Sequence, residues 1–142
     1  MATVLVVEDD ALLSKLYTTL LTNHGHKVVV ANDGVAGLKM ATEEKPNLIM
    51  LDIMMPKMNG LQVLDELKKN VATSNIPVVV LTGLSKVNEE KDVLARGASK
   101  YLDKAAYDPK VVAEMIDQLV KVDPDGAPTV TPVAPAQPKA EV

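Results

Sequence analysis

The 142-residue sequence contains no cysteine, tryptophan or phenylalanine, and its aromatic inventory is three tyrosines. Without cysteine there can be no disulfide, thiolate nucleophile or Cys-ligated zinc. So few aromatics argue against a base-stacking platform for single-stranded nucleic acid. The formal net charge of −4 gives no electrostatic footprint for a polyanion. The seven glycines are scattered rather than gathered into a phosphate-cradling loop, which disfavours nucleotide binding. No apolar run approaches the roughly 20 residues of a membrane span. Met1-Ala2-Thr3 leads directly into a strand-like segment, with no basic region or cleavage site before it. The expectation is a cytoplasmic location without membrane association.

The composition is that of a globular domain, 47% apolar and 24% charged, and the length suits one domain rather than two. Five short apolar runs alternate with five stretches of helical periodicity. The runs are Val4 to Val7, Lys27 to Ala31, Leu48 to Leu51, Ile76 to Leu81 and Lys100 to Leu102. Three are almost unbroken aliphatic, as expected of parallel strands buried on both faces. Leu13, Leu16, Tyr17 and Leu20 mark one helical stripe, Leu61, Leu64 and Leu67 another, and Val112, Met115, Ile116 and Leu119 a third. Weaker helices are expected from Val35 to Ala41 and around Val87, Val93 and Leu94. Asp10 can cap the first helix, Asn59 or Gly60 the third, and Pro109 belongs in the first turn of the last. Gly25 and Gly97 follow helices where a left-handed C-cap is placed. This (βα)5 alternation predicts an α/β fold, a parallel sheet with helices on both faces. The domain is expected over residues 1–122. Residues 123–142 hold five of the nine prolines and no periodicity, and read as a disordered Pro/Ala-rich tail.

In open α/β sheets, ligands bind beyond the carboxyl ends of the strands. There the sequence ends strand one in Glu8-Asp9-Asp10, strand three in Asp52 and strand four in Thr82-Gly83, and runs strand five into Asp103-Lys104. Singly, each has an ordinary explanation: an Asp after a strand is often an N-cap, a Thr there is β-branched filler, and a Lys is usually solvated. Together they are harder to dismiss. Carboxylates ~4 Å apart repel by roughly 4 kcal/mol at an effective dielectric of 20. Such a cluster calls for a hard cation, and Mg²⁺ suits one or two carboxylates, a carbonyl and waters that also receive a phosphoryl group. His24 and His26 flank the turn after the first helix, away from this edge, which argues against zinc. Asp52 is the best candidate nucleophile toward phosphorus, with Lys104 and Thr82 offering a positive charge and a hydroxyl donor to the phosphoryl oxygens.

These residues resemble the receiver domains of two-component response regulators. The resemblance covers roughly residues 3–121 and rests on VLVVEDD, LIMLDIMMPKMNG, VVVLTG and KYLDK in this order and spacing. It implies a flavodoxin-like doubly wound five-stranded sheet in the order 2-1-3-4-5, with Asp52 as the phosphorylation site. Asp9 and Asp52 would bind Mg²⁺ directly, Glu8 through water, and the Met54 backbone carbonyl would complete the protein ligands; Asp10 is left to cap the helix. The implied switch is a Thr82 hydroxyl drawn to the phosphoryl group and Tyr101 swinging inward, which reshapes the face of the fourth helix, fifth strand and fifth helix. The implied partners are a sensor histidine kinase or phosphotransfer protein and a downstream protein target, with no direct contact to nucleic acid. No enzyme activity is expected beyond the domain's own phosphorylation and slow dephosphorylation.

Two positions depart from the family's pattern. The lysine is usually followed by proline, often with a cis peptide; here Ala105 follows, and a non-proline cis bond costs about 2.5–4 kcal/mol. Met54 and Leu84, two residues past Asp52 and Thr82, are both apolar, which predicts slow loss of the acyl phosphate because neither orients a water. Two alternatives remain: a Mg²⁺-dependent phosphohydrolase with an aspartyl nucleophile, and a degenerate receiver acting as a binding scaffold. The first typically carries a second acid where Met54 stands and so would lack its proton shuttle. The intact acids, Thr82 and Lys104 weigh against the second.

Overall fold

The computed structural model describes residues 2–53, 55, 59–83 and 87–120, with residues 87 and 88 described in backbone only. Five strands and five helices alternate strictly: β1 (Thr3–Val7), α1 (Ala11–Asn23), β2 (Lys27–Ala31), α2 (Gly34–Glu44), β3 (Leu48–Asp52), α3 (Gly60–Lys69), β4 (Val78–Thr82), α4 (Val87–Ala95), β5 (Lys100–Asp103) and α5 (Pro109–Leu119). The sheet is parallel throughout, in the order β2-β1-β3-β4-β5.

The pleat sorts the aliphatic runs onto two faces. Leu5, Val7, Ile49, Leu51, Val78 and Val80 join Val63, Leu64 and Leu67 of α3 and Val93 of α4 in one apolar layer. Val4, Val6, Leu48, Met50, Val79, Leu81 and Leu102 join Tyr17 and Leu21 of α1 and Val112 and Ile116 of α5 in the other. The two central runs, β3 and β4, are buried at every position, which is why they show no polar alternation.

Boundaries follow from local chemistry. Asp10 Oδ1 accepts from the amides of Leu12 and Leu13 at 3.0 and 3.1 Å, so the third acid of the run does cap α1. Asn59 rather than Gly60 caps α3, through Leu61 N at 2.7 Å, and Asp108 caps α5 ahead of Pro109. Gly25 and Gly97 adopt positive φ of 91° and 109° after α1 and α4, a conformation other residues enter only with strain.

Three expectations need correction. The fourth strand begins at Val78 rather than Ile76, because Pro77 has no N–H to give a ladder and contributes only its carbonyl, to Ile49 N at 2.9 Å. The third and fourth strands end in Asp52 and Thr82 as expected, so both are strand residues held by the sheet itself. On α1 the buried stripe is Ser14, Tyr17 and Leu21, while Leu16 is 43% exposed; the inner face is turned by one residue from the leucine pattern. On α4, Leu94 faces solvent and Val93 carries the packing.

Candidate functional site

Parallel strands in register bring every carboxyl end to one edge, and the edge residues arrive there by continuing the ladder. Glu8 N donates to Ala31 O at 3.0 Å and Lys104 N to Thr82 O at 2.8 Å, each extending its strand by one residue. Counting alternate residues from Val4, from Leu48 and from Leu102 places Glu8, Asp52 and Lys104 on the α1/α5 side of the sheet.

There the three meet. Lys104 Nζ lies 2.8 Å from Glu8 Oε1 and 3.1 Å from Asp52 Oδ2, joining residues 96 and 52 positions apart in sequence. Glu8 and Asp52 are nearly inaccessible, whereas Asp9 is exposed beside them. Carboxylate oxygens of Glu8, Asp9 and Asp52 lie within 4.8 Å of one another. An all-oxygen donor set of this charge, with one acid open to solvent, fits a hard divalent cation that keeps several waters. Glu8 also accepts from Asp10 N at 3.2 Å, so the residue that caps α1 fixes the acid pair as well.

The electrostatics follow from burial. Desolvation, reinforced by the hydrogen-bonded Asp52 carboxyl, pushes Glu8 up to about 7, against the opposing pull of Lys104. Burial would lower the Lys104 pKa, but the two carboxylates outweigh it and hold the ammonium above its usual value. Two buried acids thus share one cation. With Glu8, Asp9 and Asp52 all ionised the cluster is two positive charges short of neutral, the charge of one divalent ion.

Thr82 is fully buried at the end of β4, paired in register with Asp103. Tyr101, on β5, is buried and faces the α3/α4 layer; its hydroxyl donates to Glu89 Oε1 of α4 at 2.5 Å. Among the described residues no peptide bond is cis, so Lys104-Ala105 is trans, and Lys104 nonetheless reaches Asp52. The Asp103 side chain accepts from Ala105 N at 2.8 Å and shapes this turn in place of a proline. Met54 and Leu84 lie outside the described residues, as does the segment 121–142. His24 and His26 are at the opposite end of the sheet, where His26 Nε2 lies 2.8 Å from Asp117 Oδ1 and Nδ1 accepts from Ala2 N. Sequence reasoning missed the Glu89 partner of Tyr101. The only available signal was an acid in the first turn of α4, which by itself suggests a favourable helix dipole and nothing more.

The model of the response regulator receiver domain family matches residues 4–117. The chain belongs to that family. A receiver domain is a signalling module of two-component systems rather than a conventional enzyme, and the fold is that of the chemotaxis-type receivers. The receiver is 36% identical over 104 residues to protein PilH of Pseudomonas aeruginosa, covering 73% of this chain and 86% of PilH. It is also 36% identical over 120 residues to a probable transcriptional regulator, ycf27, of Porphyridium aerugineum, covering 84% of this chain and 49% of that protein. It thus spans about half the length of that relative. Among solved structures, the Mn²⁺-bound form of response regulator Rcp1 superposes with a TM-score of 0.68 at 30% identity, over 84% of this receiver and 91% of Rcp1. Among the described residues, no helix is long and apolar enough to cross a membrane.

Proposed function

We propose that this receiver acts as a single-domain response regulator, accepting a phosphoryl group on Asp52 with Mg²⁺ from a histidine kinase or a histidine-containing phosphotransfer protein. The observation that carries the reading is the Lys104 ammonium bridging Glu8 and Asp52 beside the open Asp9 carboxylate. Asp52 Oδ would attack phosphorus and form an acyl phosphate, with the donor's histidine nitrogen leaving. Glu8, Asp9 and Asp52, with the Met54 backbone carbonyl, would hold the Mg²⁺, which when bound neutralises the transferring oxygens. Lys104 supplies the further positive charge to the same oxygens, and Thr82 a hydroxyl donor. The stand-alone form is supported by PilH, 86% of whose length is matched. A divalent ion at such a site is supported by the Mn²⁺-bound form of Rcp1.

The output would be a protein contact or onward transfer to a histidine, with no direct nucleic-acid or membrane contact. Thr82 drawn toward the phosphoryl group would bias Tyr101, and through its hydrogen bond to Glu89 the first turn of α4, so the face of α4, β5 and α5 would carry the signal. A cytoplasmic location accords with this chemistry. The test is incubation with acetyl phosphate, in Mg²⁺ or in chelator, followed by intact mass. A Mg²⁺-dependent gain of one phosphoryl group that is lost in Asp52→Asn is expected. A folded wild-type protein that gains none would refute the reading and favour a binding scaffold.

A further inference from the structure

Lys104 reaches the acid pair from a turn that has no proline to shape it. Its peptide to Ala105 is trans, and neither flanking residue restricts φ as a proline would. Its Nζ nevertheless lies 2.8 Å from Glu8 and 3.1 Å from Asp52. Holding a long, flexible lysine stem costs rotamer entropy, and a loose backbone beneath it would add to that cost. The backbone here is not loose. Lys104 N donates to Thr82 O at 2.8 Å, which ties the residue to the end of β4. The next three amides all close on Asp103, the last residue of β5 and the register partner of Thr82. Ala105 N donates to Asp103 Oδ1 at 2.8 Å, while Ala106 N and Tyr107 N donate to Asp103 O at 3.1 and 3.2 Å.

Two of these three bonds go to a backbone carbonyl, which any residue supplies. The third needs a short side chain with an oxygen two residues before the donor, a geometry that Asp and Asn adopt readily. Among the described residues, the carboxylates that meet the Lys104 ammonium are Glu8 and Asp52, so Asp103 acts on the backbone and not on the charge. The aim of that ammonium matters, because a cationic group displaced by about 1 Å from its reacting partner can lose on the order of a hundredfold in rate. We infer that Asp103 is a positioning residue for phosphoryl transfer to Asp52. Its carboxylate, by accepting from Ala105 N, fixes the turn that aims the Lys104 ammonium at the phosphoacceptor. The inference rests on Asp52 as the phosphoacceptor.

The full chain is compared with Asp103→Ala, Asp103→Asn, Lys104→Ala and the double variant Asp103→Ala/Lys104→Ala. Each is loaded with acetyl phosphate in saturating Mg²⁺ and followed by intact mass, with urea denaturation to establish that it is folded. Asp103→Ala removes the acceptor and should slow loading about tenfold, as for one lost hydrogen bond to a charged group. Asparagine keeps a side-chain oxygen at the same place, so Asp103→Asn should load within about twofold of wild type. In the Lys104→Ala background, adding Asp103→Ala should change the rate by less than about twofold, because no ammonium is left to aim. A merely structural role would slow both backgrounds alike. Loading by Asp103→Ala within about twofold of wild type, Asp103→Asn as slow as Asp103→Ala, or equal slowing in both backgrounds overturns the inference while leaving Asp52 as phosphoacceptor. If wild type itself gains no phosphoryl group, the proposed function falls and this inference with it.

Discussion

Glu8 should make the stability of this protein fall as pH rises from 4.5 toward 7, and the size of the fall can be worked from the structure. An unfolded glutamate titrates near 4.5, whereas burial beside Asp52 pushes Glu8 up to about 7 in the folded state. Below pH 4.5 both states hold the proton, and the protein has the full benefit of a neutral buried carboxyl. Between 4.5 and 7 only the unfolded state ionises, and stability is lost steadily. Above 7 the folded state carries the buried charge and the loss is complete. At about 1.4 kcal/mol per pH unit, the interval from 4.5 to about 7 amounts to about 3 kcal/mol. That is a large share of the 5–15 kcal/mol typical of a domain. Other carboxylates titrate in the acid range too, so the informative quantity is the difference between wild type and Glu8→Gln, which cannot ionise. Urea denaturation from pH 4.5 to 8.5 in chelator, followed by circular dichroism, measures it. The wild-type midpoint should drop relative to the variant by on the order of 1–2 M urea across this range. At pH 8, Mg²⁺ at a hundred times its Kd should restore about 2.7 kcal/mol to wild type. Parallel pH curves for the two proteins would refute the reasoning, because they would show that Glu8 ionises as easily folded as unfolded.

Three further outcomes follow from named contacts. A Cβ built at Gly60 would overlap Ile53 Cα, backbone next to the Asp52 strand end. Gly60→Ala should therefore cost about 2–4 kcal/mol in urea denaturation and slow acetyl-phosphate loading, and a change under 0.5 kcal/mol would show the contact to be relaxed. Asp10→Ala should cost about 1 kcal/mol through loss of the α1 cap yet leave loading dependent on Mg²⁺, whereas Asp9→Ala should lose that dependence with little change in stability. Equal effects of the two on loading would mean the acid pair is wrongly chosen. Glu89→Ala removes the acceptor of the Tyr101 hydroxyl and should cost about 1–2 kcal/mol, with a change in tyrosine fluorescence; an unchanged spectrum and midpoint would remove Glu89 from the switch.

Much of this architecture was legible before any coordinates. Aliphatic runs such as VLVV and LIML suit strands buried on both faces, and caps such as Asp10 and Asn59 act through backbone amides two or three residues away. Their physics is local, so the sequence displays it. Local reading failed where neighbours distant in sequence decided the outcome. The inner face of α1 was misjudged at Leu16 because the phase of the helix is set by docking onto the sheet rather than by its own leucines. The start of the fourth strand was misplaced because a proline carbonyl still bonds to β3 after its missing N–H has ended the ladder.

The family, the acids, Thr82 and the lysine are properties of the sequence by itself, since residue type and order specify them and parallel βα units must deliver strand ends to one edge. Only the tertiary structure decides how those groups share charge. Lys104 meets Glu8 across 96 residues and Asp52 across 52, and Tyr101 meets Glu89. Pair energies and pKa values depend on separation and on exclusion of water, and neither exists until the chain has closed around the site.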